Sequence, residues 1–123
     1  MAEHNKLGSW GEDVVCEHLI KEGYAIVERN WRMDHLELDI IAQKDAWIAF
    51  VEVKTRRTQG EDLSRIVSPS KIRHLVAAAN GFLTARNIQL KPRFDVAFVY
   101  GTPSDFKFEY MPDAFYPGLR TYR

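Results

Sequence analysis

A chain of 123 residues has room for one hydrophobic core and not for two, so a single domain spanning 1–123 is expected. Hydrophobic residues at 46% and charged residues at 28% exclude disorder, collagen-like repeats and a coiled-coil rod, and the single cysteine, Cys16, excludes a disulfide framework and multi-cysteine zinc or iron–sulfur sites. The zero net charge conceals an asymmetry: residues 1–50 carry −5, residues 51–93 carry +6 and residues 94–123 carry −1, so the middle of the chain can present a basic face to a polyanion.

The opening Met-Ala-Glu-His-Asn-Lys leads into no apolar signal core, and no apolar run is long enough to cross a bilayer. A cytoplasmic protein with no membrane partner is expected. Leu7, Trp10, Val14 and the Val15–Leu19 region recur at helical spacing and predict a helix from about Lys6 to Glu22, stopped by Gly23. Gly8 and Gly11 cost that helix about 1 kcal/mol each against Ala, either as a poorly formed first turn or because something passes close to the backbone. Strands are expected at Tyr24–Arg32, Leu36–Ala42 and Trp47–Thr55, the last two joined as an antiparallel hairpin. The segment 59–68 carries no sustained period and reads as a loop. Ser68-Pro69 then starts a second helix with an apolar stripe of Ile72, Leu75, Val76, Ala79, Phe82 and Leu83, leaving Lys71, Arg73 and His74 toward its edge. Phe94–Tyr100 and Lys107–Tyr110 complete the strands, and residues 113–123 form an aromatic tail. The order α-β-β-β-α-β-β predicts one mixed sheet with a helix on each side.

The hairpin concentrates the chemistry. Alternation puts Leu36, Leu38, Ile40 and Ala42 on one face, with Glu37, Asp39 and Ile41 on the other; in the next strand Ile48, Phe50, Glu52 and Lys54 share a face. A turn centred between Lys44 and Asp45 sets Glu37 across from Glu52, and one centred between Asp45 and Ala46 sets Asp39 there. Either turn gathers Glu37, Asp39, Glu52 and Lys54 on one face, whereas a turn centred on one residue separates them. Two like charges about 4 Å apart repel by roughly 4 kcal/mol at an effective dielectric near 20. One lysine offsets part of that; a hard divalent cation, Mg²⁺ or Mn²⁺, offsets more and brings phosphodiester chemistry with it. The competing reading is a wet hairpin face of exposed cross-strand ion pairs.

Asp39, followed thirteen residues on by Glu52-Val53-Lys54, resembles the Asp…Glu-Xaa-Lys signature of the restriction-endonuclease-like PD-(D/E)XK nucleases. A longer ordered series resembles the YraN-like family, a bacterial group related to archaeal Holliday-junction resolvases. It comprises Gly8-x-x-Gly11-Glu12, Gly23-Tyr24, Arg29-Asn30-Trp31-Arg32, Glu37 to Ala42, Phe50 to Arg56, Lys71 and Arg93-Phe94-Asp95-Val96, and it extends from Gly8 to about Phe115. The family usually has Gly before the Glu of its Glu-x-Asp pair, where this chain has Leu36. The resemblance implies an α/β, restriction-endonuclease-like three-layer sandwich, a central mixed β-sheet flanked by helices with the site at the sheet edge. It implies Asp39 and Glu52 as ligands of Mg²⁺ or Mn²⁺, Lys54 as the catalytic lysine and Glu12 as a further acidic residue beside them.

Arg56, Arg57, Arg65, Lys71 and Arg73 are the expected phosphate-contacting rim. His4, His18, His35 and His74 are scattered and suggest no metal site; Trp10, Trp31 and Trp47 read as core, and Cys16 as buried filler. Three functions stay open. The first is a metal-dependent nuclease that binds nucleic acid, DNA rather than RNA and branched DNA among the candidates, and hydrolyses phosphodiesters. A homodimer would be needed for a chain this small to span a junction. The second is a binding module of the same fold without turnover, and the third an interaction protein assembled through the aromatic tail.

Overall fold

The computed structural model describes residues 6–57 and 67–115, with side chains from Ser9 onward. Arg65 and the aromatic tail beyond Phe115 lie outside the described residues. In chain order the elements are α1 (Lys6–Lys21), β1 (Ala25–Met33), β2 (Leu36–Lys44), β3 (Trp47–Arg56), α2 (Pro69–Arg86), β4 (Lys91–Thr102) and β5 (Asp105–Met111). The five strands form one sheet in the order β1-β2-β3-β4-β5. β3 and β4 are parallel, joined through α2 as a parallel connection requires, and the other neighbours are antiparallel. Both C-terminal strands are longer than their apolar stretches predicted, because β4 pairs along nearly its whole length with β3 and then folds back on β5.

Each face of the sheet carries one helix. Val15, Cys16 and Leu19 of α1 pack on Ile40, Ala42, Ala49, Val51, Ala97 and Val99. Leu75, Ala78, Ala79 and Phe82 of α2 pack on Leu38, Ile41, Ile48, Phe50 and Phe94. The middle strands are covered on both faces, which is why β3 and β4 read as near-continuous apolar runs. Gly23, at φ +97°, ends α1 in the left-handed conformation that glycine tolerates. Ser68 caps α2 by accepting the Lys71 amide, with Pro69 in the first turn.

Gly11 marks a close approach of α1 to the sheet: a Cβ there would lie 2.1 Å from Thr55 Oγ1. The sheet itself is therefore what passes that helix. Where the resembling family has glycine before its acidic pair, Leu36 opens β2 and packs toward α2; two residues earlier Asp34 is left-handed, at φ +57°. Trp31 meets the Phe82 ring edge-on at 5.1 Å, and Trp10 meets Phe106 at 5.5 Å. Trp47 departs from the core expectation; it is 40% exposed at the start of β3, with the Lys91 ammonium 5.5 Å over its ring. Cys16 is buried, as expected.

Candidate metal centre and nucleic-acid rim

The β2–β3 ladder runs from Lys44–Trp47 to Ile40–Val51, the register that sets Asp39 across from Glu52. The ladder stops one step short of that pair. Beyond it, Asp39 Oδ2 accepts the Val53 amide at 2.8 Å, standing in for the backbone carbonyl of a continuing strand. A face reversal accompanies the break. Leu36 and Leu38 pack with the α2 cluster, whereas Ile40 and Ala42 pack with the α1 cluster. A regular strand cannot send residues 38 and 40 to opposite faces, so the chain turns over at Asp39. On β1, Trp31 pairs Leu38 and Arg29 pairs Ile40; Asn30 between them is left-handed, at φ +54°.

This reversal corrects the expected common face of Leu36, Leu38, Ile40 and Ala42, and with it the expected grouping of Glu37. Glu37 lies 3.7 Å from Arg32 on β1, and its charge is felt at Glu12. The acids that bear on Asp39 are Glu52 first and Glu12 second. The site also lies where two interior strands part, not along an outer strand of the sheet.

Burial, then the Glu52 charge, pushes the Asp39 carboxyl up to about 8, against the downward pull of the Val53 amide. Glu52 is buried, and Lys71 Nζ of α2 stands 3.6 Å from its Oε2. Glu12, on α1, has only 13% of its side chain exposed. Its Oε1 accepts from Asn30 Nδ2 at 3.1 Å and from Arg29 Nη2 at 3.4 Å. Burial pushes Glu12 up, and these two donors pull it down. Lys54, half-buried two residues beyond Glu52 on the same face of β3, makes no ion pair among the described residues.

Two apposed carboxylates, one held well above its ordinary range by burial and by the other, form a hard-oxygen site that a divalent cation would relieve. Among the described residues no group of three or more His, Cys, Asp or Glu side chains is placed to hold a metal ion. The Asp39–Glu52 pair by itself offers hard oxygen donors, the kind Mg²⁺ and Mn²⁺ take when they bind through one or two carboxylates and fill the remaining positions with water and phosphate oxygens.

The basic rim is uneven. Lys71 is committed to Glu52, and Arg56 Nη1 donates to the neighbouring Thr55 carbonyl at 2.9 Å. Arg57 is exposed and lines a shallow cleft of about 220 Å³ with Lys107 and Tyr100, while Arg73 is exposed on α2. A larger cavity of about 420 Å³ between Trp47, Leu83, Phe94 and Phe115 touches none of Glu12, Asp39, Glu52 or Lys54. Sequence reasoning gave no role to Asn30 or Arg29; an asparagine inside a strand pattern, a residue that tolerates the left-handed region, was the available signal.

A solved structure of similar fold is the Holliday junction resolvase Hjc of Archaeoglobus fulgidus, with a TM-score of 0.54 and 23% identity, covering 82% of this chain and 72% of that one. The fold is thus the restriction-endonuclease-like α/β arrangement. A UPF0102 protein of Flavobacterium psychrophilum is 45% identical over 117 residues, covering 94% of this chain and 98% of its own length. One from Bacteroides fragilis is 43% identical over 120 residues, covering 97% and 99%. No described helix is long and apolar enough to cross a membrane. The model of "Uncharacterised protein family UPF0102" matches residues 11–99, and with relatives this similar the chain belongs to that family.

Proposed function

We propose that the protein is a divalent-metal-dependent nuclease acting on DNA, with branched DNA as the substrate class. The observation that carries this reading is the placing of Asp39 beside Glu52 where the central ladder opens, an arrangement that costs free energy and that the Val53 amide and the Lys71 ammonium offset only in part. Asp39 and Glu52 would hold Mg²⁺ or Mn²⁺, which when bound would supply Lewis acidity toward the scissile phosphate. Lys54 orients the attacking water or steadies the charge that develops on the phosphate. Arg57 and Arg73 grip flanking phosphates. The Holliday-junction activity in the name of the similar Archaeoglobus fulgidus protein supports branched DNA as the substrate to try first.

One observation favours a second reading, a DNA-binding module without turnover: the Lys71 ammonium already sits 3.6 Å from Glu52 and offsets part of the charge a cation would meet. One experiment separates the two. Linear, flapped and four-way DNA are incubated with the protein and Mn²⁺, alongside calorimetric Mn²⁺ titration of wild type and Asp39→Ala. The nuclease reading expects cleavage of at least one substrate and Mn²⁺ binding that Asp39→Ala abolishes. Binding of DNA with no cleavage and no Mn²⁺ heat selects the module.

A further inference from the structure

Where β3 ends, the β4–β5 hairpin leaves a shallow cleft of about 220 Å³ lined by Arg57, Tyr100, Gly101, Asp105, Phe106 and Lys107. We propose that this cleft is a subsite for one unpaired nucleotide, with the base against the Phe106 ring and the phosphate at Arg57 and Lys107. The substrate is then DNA that carries a single-stranded arm beside its duplex. The inference rests on the DNA-binding reading above and deepens it.

Charge is the first observation. Arg57 and Lys107 are exposed, and neither makes an ion pair among the described residues. Arg29, Arg86 and Arg93 are each held by a carboxylate. Asp105 is the one acid of the cleft wall, so the wall keeps a positive excess. Two cations lining one cleft repel each other, and a phosphate relieves both.

The second is the aromatic ring beside those cations. Phe106 is 40% exposed, and Trp10 meets it edge-on at 5.5 Å, a contact that engages one side of the ring. Gly101 pairs with Phe106 across the hairpin and brings no side chain to cover it. Its φ of +117° demands glycine, and a Cβ there would collide with the Asp105 carbonyl oxygen. A flat ring beside cations is the combination that holds single strands without regard to sequence. Bases stacked in a duplex present no free face to such a ring; an unpaired base does.

Size and placing agree. The cleft is smaller than the about 300–1,000 Å³ of small-molecule sites, so it suits one unit of a polymer anchored elsewhere. In the ladders Glu52 pairs with Val96, Lys54 with Phe98, and Tyr100 with Lys107. Val96, Phe98 and Tyr100 form one cluster, whereas Ala97 and Val99 pack with α1. Paired residues share a face, so Lys107 stands on the same face of the sheet as Glu52 and Lys54. Arg57 follows Glu52 by five residues, about 17 Å along a strand, the length of about five base steps of B-DNA.

The test is fluorescence anisotropy in EDTA, with a DNA duplex bearing an oligothymidine tail and the same duplex with blunt ends. Wild type should bind the tailed duplex more tightly. Phe106→Leu keeps an apolar side chain against Trp10 but removes the flat ring; it should weaken binding of the tailed duplex by about 5-fold or more and leave the blunt duplex unchanged. Lys107→Gln should shallow the log–log salt dependence by about 0.7 on the tailed duplex and not on the blunt one. It decides the matter alone should Phe106→Leu fail to fold, and an unchanged slope on the tailed duplex then overturns the inference. Equal wild-type affinity for the two duplexes overturns this inference alone, as does unchanged affinity in Phe106→Leu. A loss of equal size on both duplexes also overturns it, since Phe106 would then serve the fold through Trp10. A wild type that binds neither duplex overturns the DNA reading and this inference with it.

Discussion

The chain buries aspartate in two places and treats the two in opposite ways. Asp95, on β4, is 1% exposed and fully supplied with donors. Arg93 grips it with Nε at 2.9 Å and Nη2 at 2.8 Å, the Asp113 amide donates at 2.8 Å, and the Tyr110 hydroxyl completes the set. Arg93 is itself tied to the Tyr24 hydroxyl, so the network joins the segment after α1 to β4 and β5. Its neighbours feel the charge: Arg93 is held further up by Asp95, and Tyr110 is pushed up by burial and then by Asp95. Asp39 has one backbone amide, two like charges and only the weaker pull of the Lys71 ammonium for company. A buried acid with every lone pair answered is built into the fold, whereas one left short of donors beside other acids is poised for a ligand.

The largest effect that would test this contrast is on stability. Asp95→Ala leaves Arg93 without its carboxylate partner and takes from Tyr110 the Asp95 acceptor, and loss of one partner of a buried pair costs about 3–5 kcal/mol. Asp39→Ala in metal-free protein should cost little or stabilise, because it removes a repulsion and one amide contact. Urea unfolding of both variants measures this. Equal losses would erase the distinction between the two acids.

Next comes Lys54. If it served Glu52 as Arg93 serves Asp95, Lys54→Ala would destabilise the protein. Lys54 makes no ion pair among the described residues, so the expected result is an unchanged melting temperature and DNA affinity within a few-fold of wild type. Metal-dependent cleavage should fall by a factor on the order of 10² or more, the usual loss for one electrostatic stabiliser of a transition state. A fall in affinity with no cleavage in either protein would instead make Lys54 a phosphate-binding residue of an inactive module.

The contrast also marks what can be read from the sequence. Element order, the two helix starts and the stop of α1 follow from local periods and turn residues, which act over a few positions and left the hairpin with alternative registers, one of them the observed one. The reversal at Asp39 does not. Strict alternation assigns Leu38 and Ile40 to one face, and only the competition of two helices for two faces of a twisted sheet separates them. The same reversal accompanies the pairing of Glu37 with Arg32, and the contact of Glu12 with Arg29, 17 residues away in sequence, is one that no period encodes. Asp95 was legible only as part of a resembling motif; its role depends on Tyr110 and Asp113, which arrive from the far hairpin.

A smaller effect lies in pH. Asp39 is raised from an unfolded value of about 3.9 to about 8, so between those limits the folded chain binds a proton that the unfolded chain does not. Its contribution to stability is therefore present at the acid end and declines as pH rises through about 8. Metal-free wild type should lose melting temperature between about pH 5 and pH 8 relative to Asp39→Asn, which keeps an acceptor for the Val53 amide without titrating. Mn²⁺ affinity should rise over the same window, since cation and proton compete for one carboxylate. Parallel pH profiles for the two proteins would mean that Asp39 holds no proton in the folded chain, and its likeness to an ordinary satisfied carboxylate would then outweigh the contrast.

The smallest expected effect concerns the rim, where the contrast between committed and free charges recurs among the cations. Residues 51–93 carry +6, and removing one phosphate-binding side chain should shallow the log–log salt dependence of DNA binding by about 0.9. Arg57 and Arg73 are exposed, so Arg57→Ala and Arg73→Ala should each show that change. Lys71 is engaged with Glu52 at 3.6 Å, so Lys71→Ala should alter the slope less than either arginine does. It should instead change Mn²⁺ binding, because removing the ammonium leaves the acidic pair more negative. Equal slopes for all three variants would place Lys71 on the DNA with the arginines, and its pairing with Glu52 would then be one the lysine gives up when DNA binds.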